Sequence, residues 1–399
     1  MKPPGFGLII PALGIGQIFA WGSSYYLLAV LAGPITRSTG WPLTWVVGGV
    51  SLGLLAAGVV SPRVGRMIGR IGGRPVLAMS AVVLAAGLGL LALAQSIPVY
   101  LAAWVVIGMG MGGGLYDPAF ATLGRIYGEA ARPAITTLTL FGGFASTVCW
   151  PLSAFLVTHL GWRGACLAYA GLHLLVVLPI YLWALPSEAE RAVNVVAPKA
   201  TAAPVVRRSR TLFVLLATTI TLSAMISTLL AVHLLTILQS RGVPLAVAVA
   251  LGALVGPSQV GARTIELFIA RHHHPIWTKI VSTMLVLAGV TVLWASPLFL
   301  AAPLVLYGAG IGLESIARGT LPLALFGGAD YAVMMGRLAM PSLIVQAAAP
   351  SIGAVLLSIY GSNGTLITLM LVAATNFALA VTMFRVFSRA PGHLATQKS

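Results

Sequence analysis

Residues Gly65–Pro75 read GRMIGRIGGRP. Arg66, Arg70 and Arg74 recur four apart in a stretch otherwise made of glycine and a few apolar residues. An apolar run stands on either side, near 43–61 and 76–95. Each is long enough to cross a hydrocarbon core of about 30 Å as a helix. The basic stretch therefore reads as a short loop between two membrane helices.

The same alternation continues along the whole chain. Hydrophobic residues make up 59% of the 399 and charged residues 8%, too little charge to cover the surface of a soluble domain. Further spans are predicted near 8–32, 99–121, 134–158, 164–185, 211–237, 245–269, 276–295, 298–325, 338–360 and 365–386. The pattern predicts an all-α polytopic membrane protein with twelve transmembrane helices.

The net charge of +16 is explained by its placement. With both termini in the cytoplasm, Arg37, Arg163 and Arg241 fall outside, Arg263 and Arg318 fall within spans, and the remaining Lys and Arg residues lie at cytoplasmic ends or loops. That asymmetry is the positive-inside signature. The basic residues then face anionic lipid headgroups, and nucleic acid is not an expected partner. The first apolar stretch is too long for a signal-peptide core and is followed by no cleavage site, so it is expected to remain as helix 1. The expected location is a bacterial inner (plasma) membrane. Cys149 and Cys166 are too few for a disulfide framework and read as packing residues.

Residues 186–210, PSEAERAVNVVAPKATAAPVVRRSR, lack apolar periodicity and read as a cytoplasmic linker. They separate an N-terminal six-helix bundle, 1–185, from a C-terminal one, 211–399. GWPL at Gly40–Leu43 recurs as GVPL at Gly242–Leu245, an offset of 202. Gly108, Gly110 and Gly112 recur as Gly308, Gly310 and Gly312, an offset of 200. Two six-helix repeats around a central site is the build of many secondary transporters.

GRMIGRIGGRP resembles the G-x-L-A-D-R-x-G-R-R-P signature of the major facilitator superfamily, and GWR at Gly161–Arg163 is similar to that family's helix 5 end. The resemblance spans essentially the whole chain and implies two pseudo-symmetric six-helix bundles, with helices 1, 4, 7 and 10 lining a cavity. It also implies a cytoplasmic latch built on Arg66, Arg70 and Arg74. Gly69 stands at the family's Asp position, so the latch is absent or uses another acid. WGSSYYLLAVLAGPITRSTGW, starting at Trp21, looks like the opening of the monocarboxylate and oxalate/formate branches. In those branches an arginine late in helix 8, here Arg263, meets the substrate carboxylate.

Several polar residues interrupt the apolar spans. Glu314 and Arg318 are four apart in GLESIARG, the favourable order for an ion pair on one helix face. Intramembrane charges normally face protein or a water-filled cavity, so the pair reads as a gate or scaffold contact, or as a substrate or proton site. Gln259, Arg263 and Glu266 form one stripe of helix 8. A guanidinium there suits a carboxylate; otherwise it pairs with Glu266 or reaches the headgroups. Asp117 either carries a proton or pairs with Arg318 or Arg263. Gln17, Trp21 and Ser24 share a face of helix 1 with Tyr25 beside them, as a mostly apolar small-molecule pocket requires; alternatively they are packing or interfacial residues. His233 reads as structural. The GMGMGGG run at Gly108–Gly114 reads as a close helix contact, and RHHHP at Arg271–Pro275 as a solvated headgroup contact rather than a metal site.

The expected function is secondary transport of a small organic anion, with protons as coupling ion. One alternative is efflux of drugs or a toxic inorganic such as a metalloid. Against the drug branch, the R-x-x-Q-G motif of drug–proton antiporters would fall on WVVIG at Trp104–Gly108, with Trp for Arg and Ile for Gln. The other alternative is a non-transporting receptor, for which the linker and tails offer no signalling domain. No catalytic constellation, zinc spacing or Walker motif is seen, so neither an enzyme nor a cofactor is expected. A monomer is expected.

Overall fold

The structure is a computed structural model that describes residues 6–187, 209–296 and 300–389. Apart from its ends, the linker read at 186–210 lies outside the described residues. Among the described residues all regular structure is helical.

In chain order the spans are α1 (6–39), α2 (Leu43–Ile71), α3 (Gly73–Leu93), α4 (97–127), α5 (132–160), α6 (162–184), α7 (Arg210–Ser240), α8 (245–269), α9 (Pro275–Ala295), α10 (Ala301–Phe326), α11 (331–360) and α12 (362–388). Gly161 (φ 68°) divides α5 from α6, and Gly361 (φ 62°) divides α11 from α12. The left-handed backbone at both points is one that glycine adopts without steric penalty. The helices α2, α3, α7 and α9 are each long and apolar enough to cross a membrane.

Packing divides the chain into two compact units. The first holds Met1–Pro198 and Gly328–Ala347, and the second holds Lys199–Gly327 and Ala348–Ser399. In the first unit, the buried side chains of Tyr100, Trp104, Leu88 and Tyr169 form the centre of the core. In the second, Leu230, Ile237, Val290, Leu304 and Leu369 do so.

The repeated glycines explain how each unit is assembled. A Cβ on Gly108 would strike the backbone of Gly53 on α2, and one on Gly112 would lie 2.9 Å from the Ala57 carbonyl. On the other side of α4, a Cβ on Gly110 would lie 3.0 Å from the Leu84 nitrogen on α3. In the second unit Gly308 and Gly312 of α10 meet Val255 and Gln259 of α8 in the same way, and Gly310 meets Val286 of α9. The partners on α8 and α9 are those on α2 and α3 displaced by 202, while the glycines are displaced by 200. Small residues let helix backbones approach this closely where the surrounding solvent is lipid. The pseudo-symmetry expected from the sequence is thus present contact by contact.

Four helices are interrupted where the sequence predicts continuous spans, α5 by a single turn residue at Phe144. In α4 the backbone is extended at Leu115 (φ −80°, ψ −161°) before the helix restarts at Tyr116. Pro118 has no N–H for the Gly114 carbonyl, and its ring crowds that carbonyl. Pro257 acts likewise on Ala253 of α8, where the helix is interrupted at Ala253–Leu254. In α1 the interruption covers Ser23–Leu27, with Tyr26 N–H bonded five residues back to Trp21 O (3.0 Å). A further correction concerns Gly65–Pro75. Its first seven residues continue α2 to Ile71, so Arg66 and Arg70 stand on the last exposed turns of a helix. Gly72 alone (φ 86°) makes the turn into α3.

Candidate functional site

In the first unit, the α1 stripe meets the α4 break. Gln17 is fully buried, and its Nε2 donates to Gly114 O at 2.7 Å. This is the carbonyl orphaned by Pro118, and burying it unpaired in the membrane interior would be costly. Trp21 Nε1 donates in turn to Gln17 Oε1 (3.2 Å). Ser24, also fully buried, donates to Ala20 O (2.5 Å). The polar groups of Gln17 and Ser24, expected either to line a pocket or to serve packing, are engaged by main chain here. The rings beside them are half-buried: Trp21 lies 5.5 Å from Tyr25 and 5.2 Å from Tyr116, centroid to centroid. Gly22 allows this section of α1 to sit directly on Cys149 of α5.

Asp117 occupies the first turn of the restarted α4 helix, where the helix dipole favours a carboxylate. It lines a small crevice with Gly65 and Ile68 of α2 and Ala332 and Gly336 of α11. Arg125 Nη1, two turns further along α4, donates to Gly69 O at 2.5 Å. The loop position that lacks the family's Asp is thus held through its carbonyl. Arg66 and Arg70 are exposed and Arg74 is half-buried.

The second unit carries the charged cluster. Glu314 has Lys279 of α9, not Arg318, as its cation: Lys279 Nζ lies 2.6 and 2.8 Å from the two carboxylate oxygens. The reason is the α9–α10 crossing at Gly310, which would place a Cβ 2.9 Å from Ser282 O and so presses this part of α9 against α10. Ser282 Oγ donates to Gly310 O (2.8 Å) and to Glu314 Oε2 (3.2 Å). Lys279 also reaches Ser223 Oγ of α7 (3.3 Å), which accepts from Asn376 Nδ2 of α12 (2.8 Å). Arg318 lies one turn beyond Glu314 and is half-buried.

On α8, Arg263 is buried, and among its contacts it donates to Gln259 Oε1 (3.1 Å) and Gly312 O (3.3 Å). Glu266, also buried, accepts from Thr278 Oγ1 (2.7 Å) and pairs with His273 (3.4 Å). His274 accepts the Ile276 N–H at the start of α9 (3.2 Å). The imidazoles of His273 and His274, read as headgroup contacts, thus fasten the α8–α9 turn. His233 of α7 bonds the Pro350 carbonyl at 2.8 Å, in keeping with a structural role.

Lys279, Ser223 and Asn376 escaped the sequence reading, which counted Lys279 among the cytoplasmic charges. Lys279 is 1% exposed. Its signal was the polar stripe Lys279, Ser282, Thr283 at helical spacing. His173 was missed as well. It is fully buried at the start of a π-turn in α6, with Nε2 2.8 Å from Ser23 Oγ in the α1 break.

Paired six-helix repeats with glycine-mediated crossings and charges buried between helices define a membrane transporter fold. The chain belongs to the major facilitator superfamily, whose profile matches residues 13–277. No curated protein matches it by sequence. Among solved structures it is similar to the human organic anion transporter MFSD10 (TETRAN), with a TM-score of 0.73 and 14% identity over 95% of this chain and 100% of that one. It is also similar to the proton:xylose symporter XylE bound to 6-bromo-6-deoxy-D-glucose, with a TM-score of 0.71 and 11% identity over 96% of this chain and 95% of that one. At such identities the likeness is one of fold.

Proposed function

We propose that the protein is a secondary active transporter of a small organic anion, coupled to protons and working by alternating access of its two halves. The observation that carries this reading is Arg263, a buried guanidinium oriented by Gln259 and the Gly312 carbonyl at the glycine crossing of α8 and α10. Its planar fork suits a carboxylate. Arg318 on α10 adds a second cation to the same unit. The first unit carries an aromatic cluster of its own, Trp21, Tyr25 and Tyr116, of the kind a mostly apolar small-molecule pocket contains. The likeness of fold to an organic anion transporter is consistent with this reading, and the helix 1 sequence favours the monocarboxylate and oxalate/formate type. The carrier is a monomer in a bacterial inner membrane with both termini cytoplasmic, and Arg66, Arg70 and Arg74 form part of its cytoplasmic gate.

A second reading, a neutral hydroxylated solute, draws on the same aromatic cluster and on the likeness to a xylose symporter. A thermal-shift screen of the purified protein against small carboxylates, pentoses and hexoses separates the two. Stabilisation by a carboxylate that disappears in Arg263→Gln supports the anion. Stabilisation by a sugar that survives in Arg263→Gln replaces it with the neutral solute.

A further inference from the structure

The geometry points to a crevice between α1 and α5 as a binding site for a neutral aromatic ring that carries a hydrogen-bond donor, of which phenol is the simplest. The inference goes beyond the transport reading. The crevice is formed by the first unit alone, and its walls carry no ionisable group. It therefore stands whether or not Arg263 binds an anion.

Its origin is the placement of small side chains. The helices α1 and α5 touch where Gly22 sits on Cys149. Past that contact, Ala29 on α1 and Ser146 and Ala154 on α5 are too small to close the gap, and a space of about 500 Å³ is left. That volume is in the usual range of small-molecule pockets. Ala29 and Ser146 each stand one residue past the point where an interrupted helix restarts, at Leu28 and Ala145.

The preference for a ring comes from Trp150. Its side chain is 46% exposed and forms part of the wall. Tyr26 meets it edge to face, with centroids 6.3 Å apart and planes at 89°. Tyr26 in turn contacts Tyr25 (5.3 Å) and Trp21 (6.0 Å). The indole is thus the end member of a series of rings, and a ligand ring in the crevice extends that series in the offset or edge-on geometry aromatic pairs favour.

The preference for a donor comes from the hydroxyls of α5. Thr136, Thr137, Thr139 and Thr158 give theirs to carbonyls of their own helix, and Ser153 bonds Tyr169. Ser146 and Thr147, the two that line the crevice, make no hydrogen bond among the described residues. Pro151, also in the wall, has no N–H to give the Thr147 carbonyl. One short arc of α5 therefore offers two hydroxyls and a carbonyl that lacks its usual helical donor. A ligand hydroxyl can donate to this arc. A lipid chain cannot, and would cover these groups unpaired, which is unfavourable.

The test is fluorine NMR of the full chain in lipid nanodiscs, with para-fluorophenol as the probe. Saturable binding is expected. Ala29→Leu and Ala154→Leu fill the crevice from opposite walls at exposed positions. Each should weaken binding about tenfold or more with the melting temperature unchanged. Trp150→Leu should weaken it about three- to tenfold. Thr147→Val keeps the shape and removes the hydroxyl, so it should weaken para-fluorophenol by about the same factor and leave para-fluorotoluene untouched. Cyclohexanol, which has the hydroxyl but no aromatic ring, should compete more weakly than phenol. Signals that do not saturate, or saturable binding that ignores both leucine variants, would overturn the site. Cyclohexanol competing as well as phenol, or octanol competing better than either, would replace the aromatic ligand with an acyl chain and overturn the proposal. Equal responses of the two fluorinated probes to Thr147→Val would overturn it as well.

Discussion

The side-chain amide of Gln17 completes a hydrogen bond that Pro118 makes impossible within α4, donating at 2.7 Å to the carbonyl of Gly114. Gln17→Leu should therefore destabilise the first unit by about 1–3 kcal/mol, the usual penalty for a buried carbonyl left without a donor. Pro118→Ala in the same chain supplies the missing N–H and should restore much of the loss. Thermal unfolding in detergent reads both. An unchanged melting temperature in Gln17→Leu would show that another donor serves Gly114.

Gly312→Ala should be far more damaging than most glycine replacements in this chain. The new methyl would sit 2.6 Å from the Gln259 carbonyl and 2.8 Å from its Cα, and backbone atoms cannot rotate aside. A loss of about 1–3 kcal/mol or more is expected from such overpacking. Gly89→Ala, with nothing within 4 Å, is the matched control and should be neutral or slightly stabilising. Comparing detergent-extracted yield and melting temperature of the two variants checks this.

Arg263→Lys keeps a positive charge but loses the planar fork. If the guanidinium engages a carboxylate with two hydrogen bonds, the apparent KM for the transported anion should rise about tenfold or more while folding is retained. Transport kinetics in proteoliposomes give the result. Equal KM values would mean that Arg263 acts only as a point charge.

Gly69→Asp returns an acid to the family's signature position. A side chain fits there, because its Cβ would have only Val333 Cγ2 near it, at 3.6 Å. Arg125, already bonded to the Gly69 carbonyl, is in reach of the new carboxylate. Replacing a helical glycine contributes about 0.5–1 kcal/mol on its own. The expected outcome is a melting temperature raised above that change, seen by comparison with Gly69→Ala. Equal melting temperatures for the two would rule out a contact between Arg125 and the introduced carboxylate.

Much of this architecture was legible in the residues alone. Apolar runs long enough for a bilayer mark the helices, and the glycines of α4 and α10 announced the repeat because main-chain contact tolerates nothing larger. The ends and interruptions of helices were harder. Arg66 and Arg70 look like loop residues, yet they ride on α2 beyond its apolar part, where exposed arginines are compatible with helix. The break in α4 had a visible cause in Pro118, but its remedy, Gln17, lies 97 residues away and no local pattern connects them. Lys279 was hidden by its surroundings: it follows the basic RHHHP stretch closely, where a charge is ordinarily at the headgroups. Ser223 and Asn376 gain their meaning only from Lys279, so they could not be found before it.

The glycine crossings also have a mechanical consequence. Where α4 touches α2 and α3 backbone to backbone, and α10 touches α8 and α9 likewise, sliding one helix along another would have to lift main chain over main chain. Each of these triplets is a stiff strut. Compliance is left to the places where the helical hydrogen-bond ladder is interrupted, at Ser23–Leu27, Leu115, Phe144 and Ala253–Leu254. Any bending a transport cycle demands is concentrated at these few joints, two of which flank the aromatic cluster of Trp21, Tyr25 and Tyr116.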